Sequence, residues 1–209
     1  MKVRDNVLYI LGNLYPSALG FLIVPFLTYA LTPSDYGVLS YVNSIIAFMC
    51  GLFTFGFNTY LFKSYSISNF QLYNFQNFHS IFWGLFFITS LLSVLVLFFF
   101  NVFNVSSKID LKHYSFYIVG ITFIVNQTLL PLAFLRIKEN AIVFFIAIFI
   151  ATSVEYILIY FLVIILDLGV EGRLFSKIFS SLVLLLLIIF YFKKILFSFK
   201  FLRLKYINY

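Results

Sequence analysis

Six long apolar stretches follow one another along the chain, separated by short polar segments. Each is long enough to cross a bilayer core of about 30 Å as a helix, which takes roughly 20 residues. Runs such as LLSVLVLFFF do not alternate apolar with polar positions, as the strands of a membrane barrel would. The pattern therefore predicts an all-α integral membrane protein whose six transmembrane helices lie near residues 7–31, 38–62, 80–103, 114–135, 141–166 and 174–192.

The composition agrees with this pattern and excludes a soluble globular protein. Of the 209 residues, 63% are hydrophobic and 10% are charged, whereas ordinary soluble domains carry about 25% charged residues. So few charges cannot coat a core of this size in water, and lipid must cover most of the surface. Lys2 and Arg4 precede the first span as in a signal peptide, but the apolar stretch is too long and no A-x-A cleavage site follows it.

Lysine and arginine residues are unevenly distributed between the two sides of the predicted helices. Basic loops stay in the cytoplasm, so the excess on the side of both termini predicts an N-in, C-in topology. In a bacterium this would be the inner membrane, because the outer membrane takes barrels. The net charge of +7 is spread between apolar runs and the C-terminus, which argues against nucleic acid as a partner. The inner side holds Lys2, Arg4, Lys63, Arg136, Lys138, Lys193, Lys194, Lys200, Arg203 and Lys205, and the outer side holds Lys108, Lys112, Arg173 and Lys177.

Signatures of metal sites and of enzymes are missing from the sequence. Cys50, His79 and His113 are too few and too isolated for a disulfide or a metal site. The sequence contains no H-E-x-x-H, P-loop or G-x-G-x-x-G motif, and no loop is large enough to fold as a catalytic domain. We therefore expect a protein that is not an enzyme and that needs no metal or cofactor.

Two of the predicted helices collect small and polar residues on one face, which either packs against other helices or lines a water-filled cavity. The fourth helix adds polar groups near Pro131, because a proline leaves the carbonyl four residues earlier, here that of Gln127, without its usual donor. The candidate cavity-lining residues are Asn13, Asn43, Thr54, Asn58, Asn126 and Gln127.

Glu155 lies about midway along the predicted fifth helix. A charged carboxylate at that depth costs about 2.5 to 3.5 kcal/mol. Ala147 and Ala151 precede it at spacings of four residues and predict that this stripe faces other helices instead of lipid. Either a neutral, hydrogen-bonded side chain or a site of proton or cation coupling fits the pattern, and Glu155 is the candidate coupling residue.

Two cations share one face at the start of the predicted sixth helix, together with two serines. Arg173 and Lys177 are candidates for phosphate contacts, because guanidinium and ammonium groups are the side chains that bind phosphate. Asp167 and Glu171 lie close enough in sequence to balance their charge, which would leave no free cation for a ligand.

A short signature follows the first span, within LTPSDYGVLSY at residues 31–41. Thr32 is placed to cap a helix that has Pro33 in its first position and Asp35 three residues after the cap, where a carboxylate favours the positive helix end. Similar caps occur at many helix starts, so the signature carries functional weight only together with its neighbours.

The order of several segments resembles a known family. These segments are residues 6–11 at the start of the first span, FLTYALTPSDYGVLSYVNS at residues 26–44, LRIKEN at residues 135–140 and LGVEGRLFSKIF at residues 168–179. In this order they resemble the N-terminal lobe of polysaccharide biosynthesis proteins. These are Wzx-type flippases of O-antigen and capsule pathways in the multidrug/oligosaccharidyl-lipid/polysaccharide exporter superfamily, which is MATE-like.

The resemblance implies an activity and an architecture. The activity would be translocation of an oligosaccharide linked to polyprenyl pyrophosphate across the bacterial inner membrane, without covalent chemistry. Known members look like two six-helix lobes around a central cavity. We therefore expect residues 1–209 to form one such lobe, with the second lobe absent. Either the chain is a fragment, or it pairs with a second lobe or a second copy around a twofold axis along the membrane normal.

Three other functions remain open at this point. A MATE-like exporter of small cationic molecules would share the fold. A truncated, inactive fragment would share the sequence pattern but transport nothing. A membrane enzyme of the same glycan pathway would need a sizeable outer loop bearing catalytic groups, and the predicted outer loops are short.

Overall fold

The computed structural model describes residues 3–54, 73–102 and 111–196. In this part of the chain the helices are α1 (Val3–Ala30), α2 (Pro33–Thr54), α3 (Tyr73–Val102), α4 (Leu111–Ile137), α5 (Ala141–Ile159) and α6 (Gly169–Leu196), and a π-helical segment, Tyr160–Ile165, continues α5. No strand occurs among these residues. All six helices are long and apolar enough to cross a membrane. The predicted all-α class and the six spans are thus confirmed.

Several helices begin earlier than the apolar pattern predicted. α2 begins at Pro33 instead of 38, α3 at Tyr73 instead of 80, and α6 at Gly169 instead of 174. The apolar pattern marks the part of a helix that lies in hydrocarbon, whereas the backbone hydrogen bonds continue through polar turns at the membrane boundary. The predicted end of the second span, at residue 62, lies outside the described residues.

The start of α2 has the predicted cap. The backbone N–H of Thr32 donates to Asp35 Oδ2 at 2.9 Å, and the backbone N–H of Asp35 donates to Thr32 Oγ1 at 3.3 Å. This reciprocal arrangement is a capping box, which satisfies two donors that a helix start otherwise leaves free. The turn between α1 and α2 is therefore defined by residues next to each other in sequence.

α4 is the central helix of the described bundle. It packs against α2, α3 and α6, and 72% of its membrane-spanning window is buried, compared with 6% for α1. α1 lies at the periphery and packs mainly along α5. Because α1 packs on α5 and α2 packs on α4, the order of neighbours in the bundle does not follow the order of the chain.

Two apolar clusters occupy opposite ends of the bundle. One contains Val42, Ile121 and Leu174, and the other contains Phe134, Phe144 and Ile188. Most of the buried polar side chains lie between these two clusters, near the middle of the helices. These are Thr89, Ser93, Thr122, Asn126, Gln127, Thr128, Thr152 and Ser180, whereas Ser115 and Ser176 lie nearer the starts of α4 and α6.

The small face of α1 packs against α5. A Cβ atom added at Gly12 would lie 3.1 Å from the ring of Phe144, and one added at Gly20 would lie 3.0 Å from the hydroxyl of Tyr156. Tyr156 also donates a hydrogen bond to the carbonyl of Pro16 at 3.2 Å. For α1, close helix packing is therefore the explanation of the small residues around Pro16.

Candidate functional site

An ion pair joins α5 to α6 within the spans. Arg173 Nη1 donates to Glu155 Oε1 at 2.6 Å, and the two side chains are 24% and 22% exposed. Ser180 Oγ donates to the second carboxylate oxygen of Glu155 at 3.4 Å. The carboxylate group of Glu155 therefore has a guanidinium and a hydroxyl as hydrogen-bond partners within the span.

A second cation lies beside this pair and faces α2. Lys177 Nζ donates to Asn43 Oδ1 at 2.9 Å. We refer to Asn43, Glu155, Arg173, Lys177 and Ser180 as the polar cluster. The cluster contains one carboxylate and two cations, and of the two cations Arg173 is the one paired with that carboxylate.

The helix geometry explains why three of these residues come together. Arg173, Lys177 and Ser180 follow one another at spacings of four and three, which places them on one face of α6. The hairpin between α5 and α6 is tight, with Gly169 at φ +53°. A Cβ atom at Gly172 would lie 3.1 Å from the carbonyl oxygen of Leu162, so glycine allows the first turn of α6 to lie against the end of α5.

The expectation that Asp167 and Glu171 balance the two cations is wrong for Arg173. Glu171 instead pairs with His113 at 2.8 Å, which ties the start of α6 to the start of α4. Asp167 lies in the hairpin with φ 50°. The partner of Arg173 is Glu155, a residue 18 positions earlier that the sequence reasoning assigned to a separate role.

Of the predicted cavity-lining residues, Asn43 is exposed and belongs to the polar cluster. Asn13 is also exposed but lies near the other end of the bundle, where its Oδ1 accepts from Arg136 Nη2 at 3.3 Å and its Nδ2 donates to the carbonyl of Tyr9. Thr54 Oγ1 donates to carbonyls of its own helix, those of Cys50 and Gly51. Asn58 lies outside the described residues.

Asn126 and Gln127 lie inside the bundle and not on its open face. Gln127 Nε2 donates to Thr89 Oγ1 at 2.6 Å, joining α4 to α3. Asn126 Nδ2 donates to the carbonyl of Thr122 at 2.8 Å, while its Oδ1 is buried and has no hydrogen-bond partner among the described residues. The structure thus separates these two amides from Asn43.

The face of α2 next to Lys177 is open in the described structure. Ser40, Asn43, Ala47 and Gly51 are all exposed there, in contrast to the buried Val42 and Ile46 on the inner side of the helix. Charged side chains within spans face water or protein and not lipid, because hydrocarbon cannot solvate them. The polar cluster and this face of α2 are thus suited to an aqueous cavity or to contact with protein.

The chemistry available at the polar cluster is anion recognition and hydrogen bonding. Arginine and lysine donate to phosphate and carboxylate oxygens, and Asn43 and Ser180 offer neutral polar contacts. Among the described residues no group of three or more His, Cys, Asp or Glu side chains is placed to hold a metal ion. The geometry fits binding of an anionic group within the membrane.

The fold and this intramembrane cluster define a multi-pass helical membrane protein. The sequence model of the polysaccharide biosynthesis protein family matches residues 3–208, and the chain belongs to that family. Members of the family are generally transporters and not enzymes. Comparison with curated proteins and with solved structures gave no significant match.

Proposed function

We propose that the protein flips an oligosaccharide linked to polyprenyl pyrophosphate from the cytoplasmic to the outer leaflet of the bacterial inner membrane, for O-antigen or capsule synthesis. Alternating access between two conformations moves the substrate, and no covalent bond changes. Membership of the polysaccharide biosynthesis family supports the glycan pathway. The excess of lysine and arginine on the side of both termini supports the N-in, C-in orientation.

The polar cluster is the observation that carries this proposal. A pyrophosphate head group cannot cross hydrocarbon without compensating charge, and the protein must supply that charge within the spans. Lys177 lies inside α6 beside the open face of α2, and its described hydrogen-bond partner is the neutral amide of Asn43. We assign Lys177 to the first contact with the phosphate and Asn43 to its orientation.

A second lobe or a second copy of the chain completes the transport path in this proposal. It faces Ser40, Asn43, Ala47 and Gly51 of α2, which are exposed in the described structure. α1 moves during the cycle, since it is the least buried span and contains Pro16 and Pro25. A peripheral helix with few lateral contacts changes position at lower free-energy cost than the central α4.

The test is a flipping assay in proteoliposomes with a fluorescent saccharide linked to polyprenyl pyrophosphate. The chain is reconstituted alone and as a tandem fusion of two copies. We expect flipping that Lys177→Gln slows by roughly tenfold, because one charge-assisted contact to phosphate is lost. Lys112→Gln, a change of the same type at the exposed start of α4, is the matched control. The proposal is contradicted if neither the single chain nor the tandem fusion flips the substrate. It is also contradicted if Lys177→Gln and Lys112→Gln flip it at equal rates.

A further inference from the structure

We propose that Glu155 is an exchangeable internal anion. Its carboxylate binds the guanidinium of Arg173 in the absence of substrate, and the phosphate of the lipid carrier displaces it. Glu155 then takes up a proton, so that binding of the anionic head group and binding of a proton occur together. The inference rests on the proposed function for the nature of the ligand. The assignment of Arg173 and Glu155 to one exchange step rests on the geometry of the described pair.

Carboxylate and phosphate compete for the same donors of a guanidinium group. Both are oxyanions that bind its planar fork through short, charge-assisted hydrogen bonds. In this structure a carboxylate oxygen of Glu155 already occupies Nη1 of Arg173 at 2.6 Å. A phosphate can therefore reach that donor only after Glu155 has left it, whereas Lys177 presents an ammonium group held by a neutral amide oxygen.

Displacement leaves Glu155 with one weak partner. The hydroxyl of Ser180 lies 3.4 Å from its Oε2, a long contact that does not replace a guanidinium. A charged carboxylate within a span costs about 2.5 to 3.5 kcal/mol when nothing compensates it. Protonation removes that charge, and the resulting carboxylic acid can donate to a phosphate oxygen or to a neighbouring hydroxyl.

The charges around the pair come from α6. The other titratable groups that interact with it are Lys177 of α6 and Tyr156 of α5, and Lys177 in turn interacts with Cys50 of α2. Among the described side chains of the other packed helices, the acidic and basic groups lie toward the helix ends: Asp5 on α1, Asp35 on α2, and Lys112, His113 and Arg136 on α4. Apart from Cys50, the other titratable groups on these helices are tyrosines: Tyr9, Tyr15 and Tyr29 on α1, Tyr36 and Tyr41 on α2, and Tyr114 and Tyr117 on α4. Glu155 is thus the carboxylate positioned to exchange at Arg173.

The proton balance of the step is simple. The carboxylate of Glu155 gains one proton from the aqueous side to which the cavity is open, and Arg173 keeps its own proton throughout. After the head group leaves, Glu155 returns its proton to water and pairs with Arg173 again. Substrate and proton would therefore bind together and be released together. Glu155 would act as a positioning residue that determines whether the guanidinium of Arg173 is available to the phosphate.

The experiment measures binding of farnesyl pyrophosphate to the purified chain in lipid nanodiscs, by calorimetry from mildly acidic to mildly alkaline pH. We expect the wild type to bind more tightly as the pH falls. Glu155→Gln should bind roughly tenfold more tightly than the wild type at neutral pH. Its pH profile should be flatter, because the competing anion is gone while an acceptor for Arg173 remains.

Titrations in two buffers of different ionisation enthalpy count the protons that accompany binding. The wild type should take up more protons per ligand than Glu155→Gln, whose remaining uptake reports the protonation of the ligand itself. Glu171→Gln is the matched control, since it removes an exposed acid that pairs with His113 at the start of the same helix. It should reproduce the wild-type affinity and proton count. Inorganic pyrophosphate in place of farnesyl pyrophosphate measures the contribution of the head group.

The outcomes separate this inference from the proposed function. Saturable binding that is equal in the wild type and in Glu155→Gln, with equal proton counts, overturns the exchange at Arg173 and leaves the proposed function standing. Absence of saturable binding in the wild type and in every well-folded variant overturns the proposed function itself. A single elution peak and a cooperative melting transition above the temperature of the binding experiment establish that each variant is folded.

Discussion

Glu155 and Arg173 are each costly within a membrane and together stabilise one another. Their contact of 2.6 Å explains how α5 and α6 carry opposite charges inside their spans. A buried pair is weak evidence for overall stability, but removing one partner leaves the other charge uncompensated. The effect of a single substitution therefore depends on which partner remains.

We expect Arg173→Ala to lower the melting temperature of the purified protein. The double variant, which carries Glu155→Gln as well, should recover part of the lost melting temperature. The coupling energy of the double-mutant cycle should be on the order of 1 to 3 kcal/mol, as for residues in one ion-pair network. Thermal unfolding in detergent measures it. Strictly additive effects of the two changes would show that the pair contributes no coupling.

The pairing of α1 with α5 depends on close approach at glycines. Gly12 lies 3.1 Å, measured to an added Cβ, from the ring of Phe144, whose side chain is fully buried. Tyr15 and Ser153 share a hydrogen bond of 2.8 Å further along the same interface. Apolar attraction alone does not select a neighbour in lipid, so this fit of small against large residues determines which helix α1 packs on.

Gly12→Val should therefore separate the two helices, since the added carbons have no space beside Phe144. We expect a loss of about 1 to 3 kcal/mol, typical of overpacking, observed as a lower melting temperature. Gly84→Val is the matched control within α3, because a Cβ atom at Gly84 has no neighbour within 4 Å. A similar shift in both variants would attribute the loss to helix propensity and not to packing.

The described bundle has two kinds of polar surface: an exposed one on α2 beside the polar cluster, and a buried one between α3 and α4. Asn43 belongs to the first, and Gln127 to the second. The proposed flipping of a large head group would require the exposed polar surface to contact water at some stage of the cycle. The buried one holds helices together by side-chain hydrogen bonds.

Cysteine labelling distinguishes these two surfaces in the whole protein. With Cys50 replaced by Ala, we expect Asn43→Cys to react with a water-soluble thiol reagent in nanodiscs, and Gln127→Cys to remain protected. Phe48→Cys is the control for an exposed position on α2 that lies outside the polar cluster. Protection of Asn43→Cys equal to that of Phe48→Cys would show that the face of α2 beside Lys177 is dry.

The class of the protein, its six spans and the cap of α2 follow from the sequence. Bilayer thickness requires a run of about 20 apolar residues for each helix, so the runs themselves predict the fold class. The capping box involves Thr32 and Asp35, which lie within one helical turn of one another. Such local features need no knowledge of the other helices. The same holds for the buried stripe of Ala147 and Ala151, which is 5% and 6% exposed as its spacing predicted.

The packing of the helices, and not the sequence pattern, determined that Glu155 pairs with Arg173 and that Asn43 lies apart from Gln127. Lipid is as apolar as the side chains it surrounds, so hydrophobicity does not specify which helices are neighbours or which polar faces meet. The neighbours are determined by shape and by hydrogen bonds between residues distant in sequence. The close approach of Gly172 to Leu162 brings Arg173 to Glu155, and the hydrogen bond from Gln127 to Thr89 joins α4 to α3.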